Sequence, residues 1–161
     1  MERFVSHYTN RLDAKGRVSI PASFRAVLAR DAFEGLYVHP SLDLEALDCG
    51  GHQLLAEIRG LLERFSPYSV ERDAFALALE GQSELLKTDT EGRIILSETL
   101  KLQAGIQGEV VFVGLGHKFQ IWEPSRFHAH LEEAKSRVRD LRKQLSAGHA
   151  AGDPSRQGAR E

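Results

Sequence analysis

Asp13-Ala14-Lys15-Gly16-Arg17-Val18-Ser19-Ile20 returns, at a constant offset of 76 residues, as Asp89-Thr90-Glu91-Gly92-Arg93-Ile94-Ile95-Leu96. Asp, Gly, Arg and two branched apolar positions keep their places while the residues between them drift. Such a repeat calls for a fold that uses one β-turn-β unit twice, and the retained charges mean that one surface feature is wanted in two copies. Gly16 and Gly92 stand where a tight hairpin often needs φ > 0, which glycine adopts without steric cost. Beyond each glycine, Val18 and Ile20 alternate with Arg17 and Ser19, so the apolar pair faces inward and the arginine outward. Ile94 and Leu96 repeat the pattern and leave Arg93 outward. An arginine presented twice on rigid turns suits a repeating polyanion, and DNA is the obvious one.

The surrounding sequence reads as a mixed α+β chain. Phe4–Leu12, rich in β-branched and aromatic residues, predicts a strand, and 35–39, 109–113 and 118–122 predict further strands. The last of these is read as alternating in and out, with Gly114–His117 as the hairpin turn before it. Pro21 opens a helix whose buried stripe is Phe24, Val27 and Leu28. In the second half Ser97 fits an N-cap, Glu98 the positive helix end, and Leu100 the place of Phe24. Between the halves, Leu54, Leu55, Ile58, Leu61, Leu62 and Phe65 share one helical face that Ser66-Pro67 terminates, and Val70–Leu79 predicts a second helix closed by Gly81. After Pro124, the run Phe127, Leu131, Ala134, Val138, Leu141 and Leu145 steps by four and three. That spacing fits a coiled-coil seam or a helix lying on its own core. From Ser146 the composition is that of a disordered tail.

Composition narrows the function classes. The chain has 161 residues, 42% of them apolar and 27% charged, which fits a soluble globular protein of one domain or two small halves sharing a core. No run reaches the length of a membrane span, the N-terminus has no secretory h-region, and the single cysteine excludes an internal disulfide, so a cytoplasmic protein is expected. The net charge of −2 conceals an asymmetry: residues 1–30 carry six basic and two acidic side chains, and residues 43–91 carry four basic and eleven acidic ones. One face can then attract phosphate while the rest keeps the chain soluble.

The candidate site follows from the repeat. An exposed Asp13–Arg17 or Asp89–Arg93 pair adds little stability, which does not explain its duplication. In the functional reading the aspartate orients the loop, by accepting backbone N–H groups or by holding the guanidinium, and the arginine projects to engage guanine or phosphate. Lys15 corresponds to Glu91, so the first turn is expected to face nucleic acid more strongly. Cys49, His52 and His39 lack the second ligand pair of a zinc site, and no metal or cofactor is expected. Gly114-Leu115-Gly116 lacks both the third glycine of a dinucleotide fingerprint and the lysine of a P-loop, so no small-molecule ligand is implied. No nucleophile, base and orienter come together in sequence, which points away from an enzyme. A protein-docking module such as an antitoxin is the competing class.

With these residues in hand, the chain resembles the MraZ family, regulators of the division and cell wall gene cluster within the AbrB-like swapped-hairpin superfamily. The resemblance rests on Leu12–Pro21, on Asp89–Leu96 and on Val113-Gly114-Leu115-Gly116-His117-Lys118-Phe119-Gln120-Ile121-Trp122-Glu123-Pro124, and runs from about Phe4 to about Arg142. It implies an α+β fold of two AbrB-like swapped-hairpin β-barrel halves, a pseudo-two-fold duplication with flanking helices. The expected divisions are half one over 4–52, a helical linker over 53–81, half two over 82–126, a C-terminal helix over 127–145 and a tail over 146–161. It further implies a sequence-specific transcriptional regulator, usually a repressor, that binds repeated boxes in double-stranded DNA upstream of its own operon. That regulator would be a nucleoid-associated, ring-like homo-oligomer with no membrane partner. Carried over by position, Arg17 and Arg93 face DNA with Asp13, Gly16, Asp89 and Gly92 as loop support, while Lys15 and Arg11 are added from charge and placement. The general pattern does not settle the role of Leu42–Gly51.

Overall fold

A computed structural model describes residues 3–151. The chain divides into a unit ending at Pro124 and a second unit from Ser125 onward. The first unit is α+β. It contains β1 (His7–Arg11), β2 (Arg17–Ser19), α1 (Ala22–Arg30), β3 (Leu36–Pro40), β4 (Leu47–Gly50), α2 (His52–Leu62) and α3 (Val70–Leu79). These are followed by β5 (Glu84–Leu86), β6 (Arg93–Ile95), α4 (Glu98–Ala104), β7 (Glu109–Gly114) and β8 (Phe119–Trp122).

The strand order of the large sheet is symmetric. Six strands run β1-β7-β8-β4-β3-β5, all neighbours antiparallel, and β2 and β6 form a separate two-stranded ribbon. Read from either end, the order is the same: the opening strand of one half lies beside the third strand of the other. The ribbon obeys the same exchange, with Arg17 opposite Ile95, Val18 opposite Ile94 and Ser19 opposite Arg93. The expected β-barrel halves do not close. Among the described residues the large sheet is open, and β2 and β6, three residues each, pair only with one another. The turn at Asp13–Gly16 likewise leads into no β1–β2 hairpin ladder, because the partner of β2 lies in the other half.

Burial explains this arrangement. One face of the sheet (Leu36, Val38, Leu47, Cys49, Val110, Phe112, Phe119, Ile121) packs with Val18 and Ile94 of the ribbon and with Phe24, Val27, Leu28 and Leu100 of α1 and α4. Phe24 is the hinge of that core, its ring 4.9 Å from Phe119, 5.3 Å from Phe4 and 5.6 Å from Tyr8. Tyr37 points to the opposite face and packs with Leu54, Ile58 and Leu62 of α2 and Leu79 of α3. With both faces covered, β8 is buried at all four positions rather than alternating between core and solvent.

The helices start as the sequence requires. Pro21 precedes α1, and the Ser97 hydroxyl accepts the Leu100 N–H at 3.2 Å to cap α4. Ser69 caps α3 in the same way by accepting the Arg72 N–H. The opening strand is shorter than expected, because Ser6 adopts φ 72° and interrupts it, leaving Phe4 in an isolated bridge to Gly116. Two strands are not evident from the sequence. β4 lies inside the Leu42–Gly51 stretch, and β5 is a three-residue strand at the sheet edge.

The second unit is occupied by α5 (Pro124–Ala151), which begins at the boundary proline. The helix continues through Ser146–Ala151, where a disordered tail is expected, in keeping with the high helix propensity of its alanines. The remainder of the expected tail, from residue 152, lies outside the described residues. Val138, Leu141 and Leu145 of the seam are exposed in the single chain.

Truncating the hinge of the main core should be severe. Phe24→Ala is expected to lower unfolding stability by about 3–5 kcal/mol, measurable as a shift of the urea midpoint at unchanged slope. A loss below about 1 kcal/mol would contradict the packing described.

Candidate nucleic-acid interface

The two motif loops are the same object built twice. In the first, Asp13 Oδ1 accepts the N–H groups of Lys15 and Arg17, both at 2.9 Å, and Oδ2 accepts Arg17 Nε–H at 2.6 Å. In the second, Asp89 Oδ1 accepts the N–H groups of Glu91 and Arg93 at 2.9 Å, and Oδ2 accepts Arg93 Nε–H at 2.8 Å. Asp13 N–H donates to Arg17 O and Gly16 N–H to Asp13 O, and Asp89, Arg93 and Gly92 repeat both bonds. Gly16 and Gly92 take φ 80° and 79°, the conformation expected of them. Each carboxylate therefore closes its loop and grips its arginine at once.

These hydrogen bonds set the electrostatics. The Arg17 N–H holds the Asp13 carboxyl below the usual aspartate range, against a smaller opposing effect of burial and with help from the Arg17 guanidinium and the Lys15 N–H. The Arg93 N–H does the same for Asp89. The hydrogen bond that Arg93 donates to Asp89 raises the pKa of its guanidinium, against a smaller opposing effect of burial and with further contributions from the charges of Asp89, Glu91 and Asp13.

The loops are also fastened to each other. Ile20 N–H donates to Gly92 O at 3.0 Å, and Leu96 N–H donates to Gly16 O at 3.1 Å. These extend the β2–β6 ladder, so each loop abuts the strand end of the other half. Arg17, Ser19, Arg93 and Ile95 lie on one face of the ribbon, because directly paired residues share a face. Val18 and Ile94 occupy the other face and are each 1% exposed. The arginine backbones are then two residues apart along the ribbon, an axial offset of about 7 Å. Their side chains are 31% and 28% exposed.

Of the other predicted site residues, Lys15 is exposed and makes no ion pair among the described residues. Arg11 lies on β1 rather than on the ribbon, where its Nη2 pairs with Glu109 of β7 at 3.2 Å. Two further cations, outside the repeated motif, flank the loops. Arg25 of α1 crosses to the second loop and donates from Nη1 to Glu91 O at 3.1 Å, covering Gly92 so closely that a Cβ there would collide with it. Lys101 of α4 holds the equivalent place at the first loop, with Nζ 3.9 Å from where a Gly16 Cβ would stand and 2.7 Å from Glu98. The 76-residue offset relates Arg25 to Lys101, so the repeat extended into the helices would have found both.

A concave region of about 510 Å³ lies over the α2 side of the sheet, away from the ribbon. On its wall Asp48, 7% exposed, accepts Ser41 Oγ–H at 2.7 Å, Gln120 Nε2–H at 2.8 Å and Lys118 Nζ–H at 3.2 Å. Gln120 in turn accepts Trp122 Nε1–H at 2.9 Å. Ser41 donates to the carboxylate rather than to an imidazole, and His39 Nε2 stands 3.8 Å from Asp48. This is a satisfied polar network at the β4–β8 junction, not a nucleophile and its base. Cys49 points into the main core, where burial pushes its thiol well up, and the His52 N–H bonds Asp31 Oδ2. Among the described residues no three His, Cys, Asp or Glu side chains cluster as metal ligands, and no helix is long and apolar enough to cross a membrane.

Removing one carboxylate oxygen should release the arginine. Asp13→Asn puts an amide donor or a neutral oxygen opposite Arg17 Nε–H, and the Arg17 Nε–H resonance is expected to exchange with water faster while the amide spectrum of the core stays put. Unaltered exchange would count against the grip. In the wild type both aspartates should titrate below the usual aspartate range, held there first by the backbone N–H groups of Arg17 and Arg93. Because their folded values are depressed, the stabilisation they confer is present above the unfolded value and lost as pH falls through the folded one. Carboxyl carbon shifts followed by NMR report this directly.

Residues 81–145 match a family model described as "MraZ protein, putative antitoxin-like". A protein from Methylocella silvestris named transcriptional regulator MraZ is 73% identical over the full length of both chains. One of the same name from Xanthobacter autotrophicus is 60% identical over 91% of this chain and 94% of its own. A third, from Rickettsia rickettsii, is 39% identical over 92% of this chain and all of its own.

Proposed function

The chain belongs to the MraZ family, and from that premise we propose that it is a transcriptional regulator that binds double-stranded DNA through the β2–β6 ribbon. The observation that carries the reading is the pair of aspartate-gripped arginines on one outward ribbon face. A two-stranded ribbon fits a major groove about 12 Å wide, and a guanidinium bonded through Nε still has terminal nitrogens for guanine or phosphate, both of them at Arg17 and one at Arg93, whose Nη2 pairs with Glu91. Fixing the side chain beforehand lowers the entropy lost on binding. Arg17 and Arg93 are the base- or phosphate-contacting residues in this reading, Lys15 and the outlying Arg11 add phosphate attraction, and Asp13, Gly16, Asp89 and Gly92 keep the loops in shape.

We read the cross-half pairing, β1 on β7 and β5 on β3, as two swapped hairpins folded from one chain. The regulator would act in the cytoplasm on the nucleoid, without a cofactor, as a ring-like homo-oligomer that represses its own division and cell wall operon. Its several ribbons would engage several boxes at once. Linking binding events in this way raises avidity steeply, and only if box spacing matches subunit spacing.

Arg17→Ala is expected to weaken binding to the duplex upstream of the chain's own reading frame by about 1–3 kcal/mol for each bidentate pair of hydrogen bonds it removes, as read by gel-shift titration at fixed salt. Wild-type affinity would reject the ribbon as the DNA surface. The antitoxin-like description of the matched family model makes protein docking the rival outcome. A stoichiometric co-purifying protein that blocks duplex binding would favour it.

A further inference from the structure

The two loops share a backbone, yet their charges are arranged differently. At the second loop Arg93 is held from two sides: Asp89 takes Nε–H at 2.8 Å, and Glu91 Oε2 stands 3.2 Å from Nη2. A terminal nitrogen that could meet a phosphate is thus already engaged. At the first loop the equivalent of Glu91 is Lys15, and Arg17 makes no second ion pair among the described residues. The backbone at Glu91 is fixed from both directions, with its N–H on Asp89 and its C=O on Arg25. Its carboxylate therefore works from an anchored position, although the side chain is 68% exposed. Nothing in the loop geometry requires a carboxylate here, since the first loop closes identically with lysine.

We propose that Glu91 is an intramolecular competitor for Arg93, an anionic stand-in that a DNA phosphate must displace before the second loop engages. The inference rests on the ribbon being the DNA surface. The first loop, with Lys15 and Arg17 both available, then makes the primary contact, and the second contributes a contact weakened by exchange of one ion pair for another. Glu91 sets affinity and salt dependence by what it withholds. Lys15 sets them by what it adds.

The test uses the full chain and the duplex upstream of its reading frame, titrated by fluorescence anisotropy between about 50 and 200 mM salt. Glu91→Gln keeps the side-chain size and every backbone bond of the loop. It is expected to tighten binding on the order of fivefold, the scale of one exposed ion pair. The plot of log affinity against log salt should steepen by about one unit, because the Arg93–phosphate contact no longer replaces an internal ion pair and so releases one more counterion. The gain should vanish when Arg93→Ala is already present, because Glu91 acts through that side chain. In the free protein, Glu91→Gln should also speed solvent exchange of the Arg93 guanidinium protons, which requires no DNA.

Unchanged or weaker binding by Glu91→Gln, with an unchanged salt slope, would overturn the proposal. So would a gain that survives intact in the Arg93→Ala background, since that would be an effect of overall charge. Arg17→Ala, run in parallel, separates the two levels of failure. If Arg17→Ala binds as well as wild type, the ribbon is not the DNA surface and the Glu91 role falls with it. If Arg17→Ala is weakened while Glu91→Gln is indifferent, the Glu91 role alone falls.

Discussion

Two backbone hydrogen bonds hold the candidate interface together: Ile20 N–H to Gly92 O and Leu96 N–H to Gly16 O. Each half of the chain lends a carbonyl from the glycine of its own charged turn to the strand end of the other. Neither turn can move without disturbing the ladder of its counterpart, and the ladder is anchored below by Val18, Ile20, Ile94 and Leu96, each no more than 2% exposed. The arginines therefore rise from a surface that the core already holds rigid. A long, flexible side chain gains specificity only when its base is fixed and its fork is oriented, and the aspartates supply the second condition.

The same exchange governs the large sheet. The outer strands β1 and β5 each belong to one half and pair with the other, so the halves cannot separate without exposing both ladders. At the seam between them, β4 meets β8 with Asp48 opposite Gln120. A buried carboxylate that accepts three donors is an unusual residue to place there. Its geometry disfavours a register slip, which would leave those donors unpaired in a low-dielectric site. The cavity beside it thus belongs to the architecture of the β4–β8 junction.

Much of the ribbon was legible in the sequence, because its signals are local. Gly16 and Gly92 announced positive φ, Val18 and Ile94 announced the buried face, and the spacing from Asp13 to Arg17 matches a loop in which one carboxylate reaches both backbone and guanidinium. What stayed hidden was long-range or disguised. The turn chemistry suggests a hairpin between β1 and β2, while the actual partner of β2 lies 76 residues away in the register of the repeat. β4 carries an acid in the middle of a fully buried strand, which breaks the apolar alternation by which strands are recognised. Arg25 and Lys101 sit on helices whose apolar stripes draw attention away from their polar residues, and their nearness to the loops depends on the packing of each helix against the other half.

The central claim is that the gripped arginines of this ribbon meet DNA, and the most direct test follows their own nuclei. With arginine side chains labelled with nitrogen-15, the Nε–H resonances of Arg17 and Arg93 should both shift as the upstream duplex is titrated into the protein, while the indole resonance of Trp122 in the Asp48–Gln120 network stays fixed. Binding of the duplex with both arginine resonances unmoved would contradict the account.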